Sequence, residues 1–271
     1  MSTVESESPT NPPAGSDLGE AGIVKPLETA RSGGRIWGFL ALGVLVGALG
    51  SWLAAESVLS AYRSQTSPKL KPVQDEKDAL LLLTARVNSG RLAYVAVGGV
   101  LPLCLGIAAG LAGGSMRRSL VGAGIGALGG IAIAALATSL ALPAFYKSWE
   151  PSSFDMTVPL MTHGAIWSSI GVAVGLAIGI GLGTGGSAAT GKAIVGGFFG
   201  AIAMTALYEV VGGIAFPSGK TELPFADSML LRAMSIVLLA IMTAAGAMMT
   251  RAMSFTRPAL REAPVVEGTS T

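Results

Sequence analysis

Four ionisable side chains fall within long apolar runs of this 271-residue chain: Glu56, His163, Glu209 and Arg232. A charged acid or arginine left unpaired at the centre of a bilayer costs roughly 2.5 to 3.5 kcal/mol, so such residues are paired, close to the interface, or in use. Glu56 is near the end of the first run and His163 near the start of the fourth. Glu209 lies about two turns before the end of the fifth run and Arg232 about one turn into the sixth. If successive runs cross a membrane in alternate directions, all four lie toward the same face. There they could form a polar site in which Glu or His takes up a proton, a cation or a substrate amine while Arg holds an anion. The competing reading is snorkelling to the interface plus one structural ion pair. Glu209 and Arg232, at similar depth on consecutive antiparallel runs, are the pair that this spacing predicts.

Other chemistries find less support in the residues. His163 is the only histidine, so carboxylates alone would have to complete a metal's ligands, which suits neither zinc nor copper; no metal and no cofactor are expected. Ser168 and Ser169 lie about one turn from His163, but no acid is placed to orient that ring, and the chain reads as non-enzymatic. The run from Gly186 to Ala193, with Gly191 and Lys192, almost fits a phosphate-binding loop. It has Ala193 where Ser or Thr would hold magnesium, and its neighbours are apolar runs instead of a buried strand and a soluble helix, so no nucleotide is expected. A net charge of +2 and the lack of a basic patch interleaved with aromatics exclude nucleic acid. Cys104 is the single cysteine, so no intrachain disulfide can form.

The elements that carry these residues follow from the solvent. Hydrophobic residues make up 51% of the chain and charged residues only 13%, about half the charge of a soluble domain. The apolar residues gather into runs near the about 20 residues that cross a bilayer as a helix, over 36–59, 92–112, 120–142, 160–182, 193–216 and 228–249. The expected fold is therefore an all-α, polytopic membrane bundle of six transmembrane helices within residues 36–251. Residues 1–35 and 252–271 are polar, Pro- and Ser-containing tails, expected to be disordered. The link over 60–91 carries Asp75, Glu76 and Asp78 ahead of Leu80–Leu83, a helix start followed by an apolar stretch too short to span. It is expected to hold an amphipathic helix, which can also continue through Asn88 to Gly90 into the second span. Pro102 should bend that span, whereas Pro143, Pro217 and Pro258 sit at or beyond helix ends. Tyr146, Trp149 and Phe225 are placed as interfacial anchors. Arg117, Arg118 and Lys192 on one side, against Lys147 and Lys220 on the other, put both termini in the cytoplasm of a cell-membrane protein.

Small residues recur at every fourth position. Gly106, Gly110 and Gly114 mark span two; Gly122, Gly126 and Gly130 span three; Gly171, Gly175, Gly179 and Gly183 span four; and Gly196 and Gly200 span five. This spacing puts each set on one helix face, where a neighbouring backbone can approach, the pattern of a glycine zipper. Because nearly every span has such a face, partners within the chain suffice; an oligomer seam or a conduction path would use the same pattern. Gly113-Gly114-Ser115 also matches Gly185-Gly186-Ser187, and Val121, Gly122, Gly126 and Ala127 match Val195, Gly196, Gly200 and Ala201. That points to an internal repeat of two parallel helical hairpins. The expected role is membrane assembly or partner binding, with the lipid bilayer, a second copy or another membrane protein as partner. The alternative is a small-solute or ion transporter or channel that uses the one-sided polar cluster.

Overall fold

A computed structural model describes residues 26–66, 76–148, 156–183, 185–216 and 221–252, and these form an all-helical bundle. Its helices are α1 (Pro26–Thr66), α2 (Glu76–Ala112), α3 (Met116–Ser148), α4 (Thr157–Leu182), α5 (Gly186–Ala215) and α6 (Met229–Ala252). All six are long and apolar enough to cross a membrane, which is compatible with an integral membrane protein. Helix is the only open-ended structure that satisfies every backbone N–H and C=O from within, which hydrocarbon requires.

Several helices outrun their apolar cores. α1 has 41 residues, about 60 Å of helix against a hydrocarbon thickness of about 30 Å. It begins at Pro26, so residues 26–35, expected to be tail, are helical; proline suits a first helical position, whose N–H has no intrahelical partner. Among the described residues of the link there is no separate amphipathic helix. α2 starts at Glu76 and runs through Leu80–Leu83 and Asn88–Gly90 into the membrane, because propagating a formed helix costs less than starting another. Pro143 lies inside α3, about one turn before its end. The rest of both tails (1–25 and 253–271), Asp75, Trp149, Pro217, Lys220 and Pro258 lie outside the described residues.

Consecutive helices are antiparallel neighbours, and α4 also packs on α2 and α6 while α1 packs on α6. α4 is the central helix: 72% of its most apolar stretch is buried inside the bundle, against 28% for α1. Its sequence explains the position, since it is apolar on every side and has no charged residue. The outer helices instead expose Leu45, Leu128, Leu140 and Ile214 to the surroundings, as a lipid-facing surface should.

Close backbone approach holds these neighbours together. A Cβ on Gly171 or Gly175 of α4 would overlap the backbone of Gly197 or Ala193 on α5, and one on Gly179 would press on Thr190. Gly106 and Gly110 of α2 meet Ala123 and Ser119 of α3; Gly122 and Gly126 of α3 meet Ala177 of α4; Gly196 and Gly200 of α5 meet Gly246 and Met242 of α6. Gly114 and Gly183, grouped by spacing with these faces, stand in turns instead. Their φ values of 72° and 61° are left-handed, and Gly183 donates its N–H back to the Gly179 carbonyl as the C-cap of α4. The helix simply ends before the fourth-residue pattern does.

Pro102 is accommodated by α3. Lacking an N–H, it leaves the Gly98 carbonyl without its helical donor, and that oxygen points at the Cα of Gly130, while the Gly130 carbonyl faces the Cα of Gly98. The arrangement is a reciprocal Cα–H to carbonyl contact, and the proline ring lies beside Gly126 and Gly130. Gly171 with Gly197, and Gly196 with Gly246, repeat the reciprocal pattern on α4, α5 and α6.

Two glycine comparisons follow. Gly175→Leu should destabilise the detergent-solubilised protein severely, whereas Gly38→Leu should not, since nothing lies within 4 Å of the position a Gly38 Cβ would take. Gly130→Ala should cost about 1 to 3 kcal/mol by overpacking, while Gly124→Ala, with open space, should be neutral or gain up to about 1 kcal/mol of helix propensity. Thermal unfolding of the four variants checks both; equal losses within either comparison would remove the close-packing account.

Candidate functional site

The four ionisable residues of the apolar runs all lie at one end of the bundle, but not in the expected pairing. Arg232, in the first turn of α6, makes a bidentate ion pair with Glu56 of α1: Nε donates to Oε1 at 2.6 Å and Nη2 to Oε2 at 2.9 Å. Its Nη1 donates to the Ala226 and Asp227 carbonyls at 2.8 and 2.9 Å. Four of the five guanidinium N–H groups are thereby used, which suits a side chain only 5% exposed. Glu56, at 22%, keeps some access to the surroundings.

Glu209 turns the other way. Its Oε1 lies 2.8 Å from Nδ1 of His163 on α4, with the two side chains 10% and 1% exposed. His163 Nε2 lies 3.2 Å from the Leu223 carbonyl. The expected pair of Glu209 with Arg232 is thus replaced by two pairs, Glu56 with Arg232 and His163 with Glu209. Sequence depth sets the height of a residue in the bundle but not its direction around the helix axis. α6 presents Arg232 to α1, and α5 presents Glu209 to the central α4. The imidazole is fixed in orientation by an indole stacked on it, Trp167 at 4.4 Å and 8°, and by the ring of Tyr208 standing edge-on at 5.6 Å. Glu209 Oε2 is buried with no hydrogen-bond partner.

Residues 221–228, between α5 and α6, join the two pairs. Thr221, Leu223 and Ala226 are buried, so the segment folds back onto the helices instead of leaving them. Its carbonyls are held one after another: Leu223 by His163, Pro224 by the hydroxyl of Tyr94 on α2, and Ala226 and Asp227 by Arg232. Phe225 packs edge-on against Tyr94 at 5.1 Å, with the Arg232 guanidinium 5.9 Å over its ring. Three helices therefore pin one short non-helical segment through its backbone.

Beside the segment is a cleft of about 280 Å³ lined by Tyr62, Arg86, Ser89, Tyr146, Asp227 and Arg232, among others. Arg86 is exposed, and no carboxylate pairs with it among the described residues. Tyr94, Trp167, Tyr208 and the carbonyls of 223–227 were not singled out by sequence reasoning. A carbonyl has no residue-type signal, and an aromatic near a span end reads only as an anchor. Among the described residues no three His, Cys, Asp or Glu side chains come together to hold a metal ion. The run from Gly186 to Ala193 forms the first two turns of α5.

The ion pair carries a direct test. Glu56→Gln strands a buried arginine and should cost on the order of 3 kcal/mol, the low end for a buried pair because Glu56 is partly exposed. Arg232→Met should cost at least as much, since the two carbonyls lose their donor as well. The double variant should recover part of the combined loss, read as a thermal-unfolding double-mutant cycle; strictly additive losses would show that the two side chains do not interact.

No protein-family model, curated protein or solved structure matches this chain, so what the polar end does is read from its own residues.

Proposed function

We propose that this chain is a non-enzymatic membrane protein that acts by binding at its polar end, taking up a partner or an anionic group there instead of passing a solute through the bundle. The observation that carries this reading is how the charges are used. The four ionisable residues are engaged in two pairs at one end, next to a cleft where Arg86 has no carboxylate partner among the described residues. Further along the helices, backbones meet at glycine, which supports close packing over a water-filled passage. In this reading the glycine faces are zipper-like seams within one bundle. The tandem hairpin repeat is supported by left-handed glycines at both turns, Gly114 in one and Gly185 with Gly186 in the other. The protein sits in the cell membrane with both termini cytoplasmic, and its partner is a lipid, a second copy or another membrane protein.

One observation favours the transport alternative: Glu209 Oε2 is buried without a partner, as a carboxylate awaiting a cation or amine would be. Two measurements separate the readings. For binding, phosphatidylglycerol should raise the Tm of the purified protein more than phosphatidylcholine does, and Arg86→Gln should remove the difference. Reconstituted vesicles should then show no Na⁺, K⁺ or proton flux above protein-free vesicles. Flux that Glu209→Gln abolishes would overturn the binding reading in favour of transport.

A further inference from the structure

His163 faces two acceptors. The Leu223 carbonyl can only accept a hydrogen bond, so the Nε2 contact requires a hydrogen on Nε2. The Nδ1 contact with Glu209 Oε1 then requires a second hydrogen, carried either by the ring or by the carboxyl group. A neutral imidazole opposite an ionised carboxylate has one hydrogen for both contacts. The charge-assisted bond to Glu209 takes it, and the bare Nε2 lone pair is left facing the Leu223 oxygen. We propose that His163 and Glu209 form a proton-binding site that latches residues 221–228: with the second proton bound, the Leu223 carbonyl is held; when that proton leaves to solvent, the hold on Leu223 is released.

Other titratable and charged groups surround the site. α4 contributes Trp167 and α5 Tyr208, both through aromatic contacts. α2 contributes Tyr94, which donates to Pro224; α6 contributes Arg232, neutralised by Glu56 of α1; α3 contributes Tyr146, across the cleft. The segment itself carries Glu222 and Asp227. The charged pair formed by Arg232 and Glu56 keeps its partners in both states of the latch, so it anchors the segment's far end, at Ala226 and Asp227, while the Leu223 end comes free. Leu223, Phe225, Ala226 and Asp227 also form one wall of the cleft, so the bound proton and the shape of the cleft are linked.

The test reads the latch without any cleft ligand, so it stands or falls separately from the binding reading. In the full chain with Cys104→Ala, Leu223→Cys places a thiol at a position only 6% exposed, and Lys147→Cys provides an exposed reference at the same end. Below about pH 8 both thiols are mostly protonated, so the ratio of their maleimide-labelling rates cancels the ordinary pH dependence of thiol reactivity. From about pH 5 to about pH 7.5 that ratio should rise severalfold as the hold on Leu223 is released. Adding Glu209→Gln should hold the ratio low throughout, because the Gln amide donates to Nδ1 and leaves the hydrogen on Nε2 in place. His163→Gln, which removes the ring, should make the ratio independent of pH. A flat ratio in the chain that retains His163 and Glu209, or a rise that persists in Glu209→Gln or in His163→Gln, overturns the proposal.

Discussion

Hydrocarbon offers no hydrogen bond to a polar group, and each part of this bundle meets that constraint in its own way. Along most of its length the polar groups are backbone amides, satisfied within their own helices. Neighbouring helices gain little from one another by hydrophobic burial, since lipid is as apolar as they are. They gain from contact distance, which is why Gly106, Gly122, Gly171, Gly175 and Gly196 are placed where a Cβ would touch a neighbouring backbone. At the polar end Glu56 pairs with Arg232 and Glu209 with His163.

The two devices depend on each other. Arg232 can be 95% shielded only because α1 and α6 run side by side and because a folded-back segment offers it two carbonyls. That segment stays in place only because α2, α4 and α6 each supply a donor to it. α4 can supply His163 because the glycine seams hold it at the centre, against α2, α3, α5 and α6 together. A rigid scaffold of closely packed backbones thus positions a small set of side chains to better precision than a loop could.

What the sequence discloses is what periodicity and depth can encode. The six apolar runs and the common level of Glu56, His163, Glu209 and Arg232 are visible because run length and position along a helix map onto height in a bilayer. The direction each residue faces is not visible, because it depends on which helices become neighbours. Hence Arg232 found α1 instead of α5, and Glu209 found α4. Glycine spacing reveals a face but not where the helix stops, so Gly114 and Gly183 fall among the turns. The partners Gly98, Gly197 and Gly246 belong to the seams although the spacing groups leave them out. Residues 221–228 are too short for any periodic signal and are held through carbonyls, which every residue possesses.

Pro102 and Gly130 have a consequence for how such a sequence can drift. While the proline is present, its ring and the Gly98 oxygen it leaves without a donor both occupy the space beside position 130, so a side chain there separates two helices. If position 102 regained an N–H, that oxygen would have a donor within its own helix but would still lie against position 130, as the close reciprocal contacts of Gly171 with Gly197 and of Gly196 with Gly246 form without a proline. A side chain at position 130 therefore requires the two helices to move apart whichever residue stands at position 102.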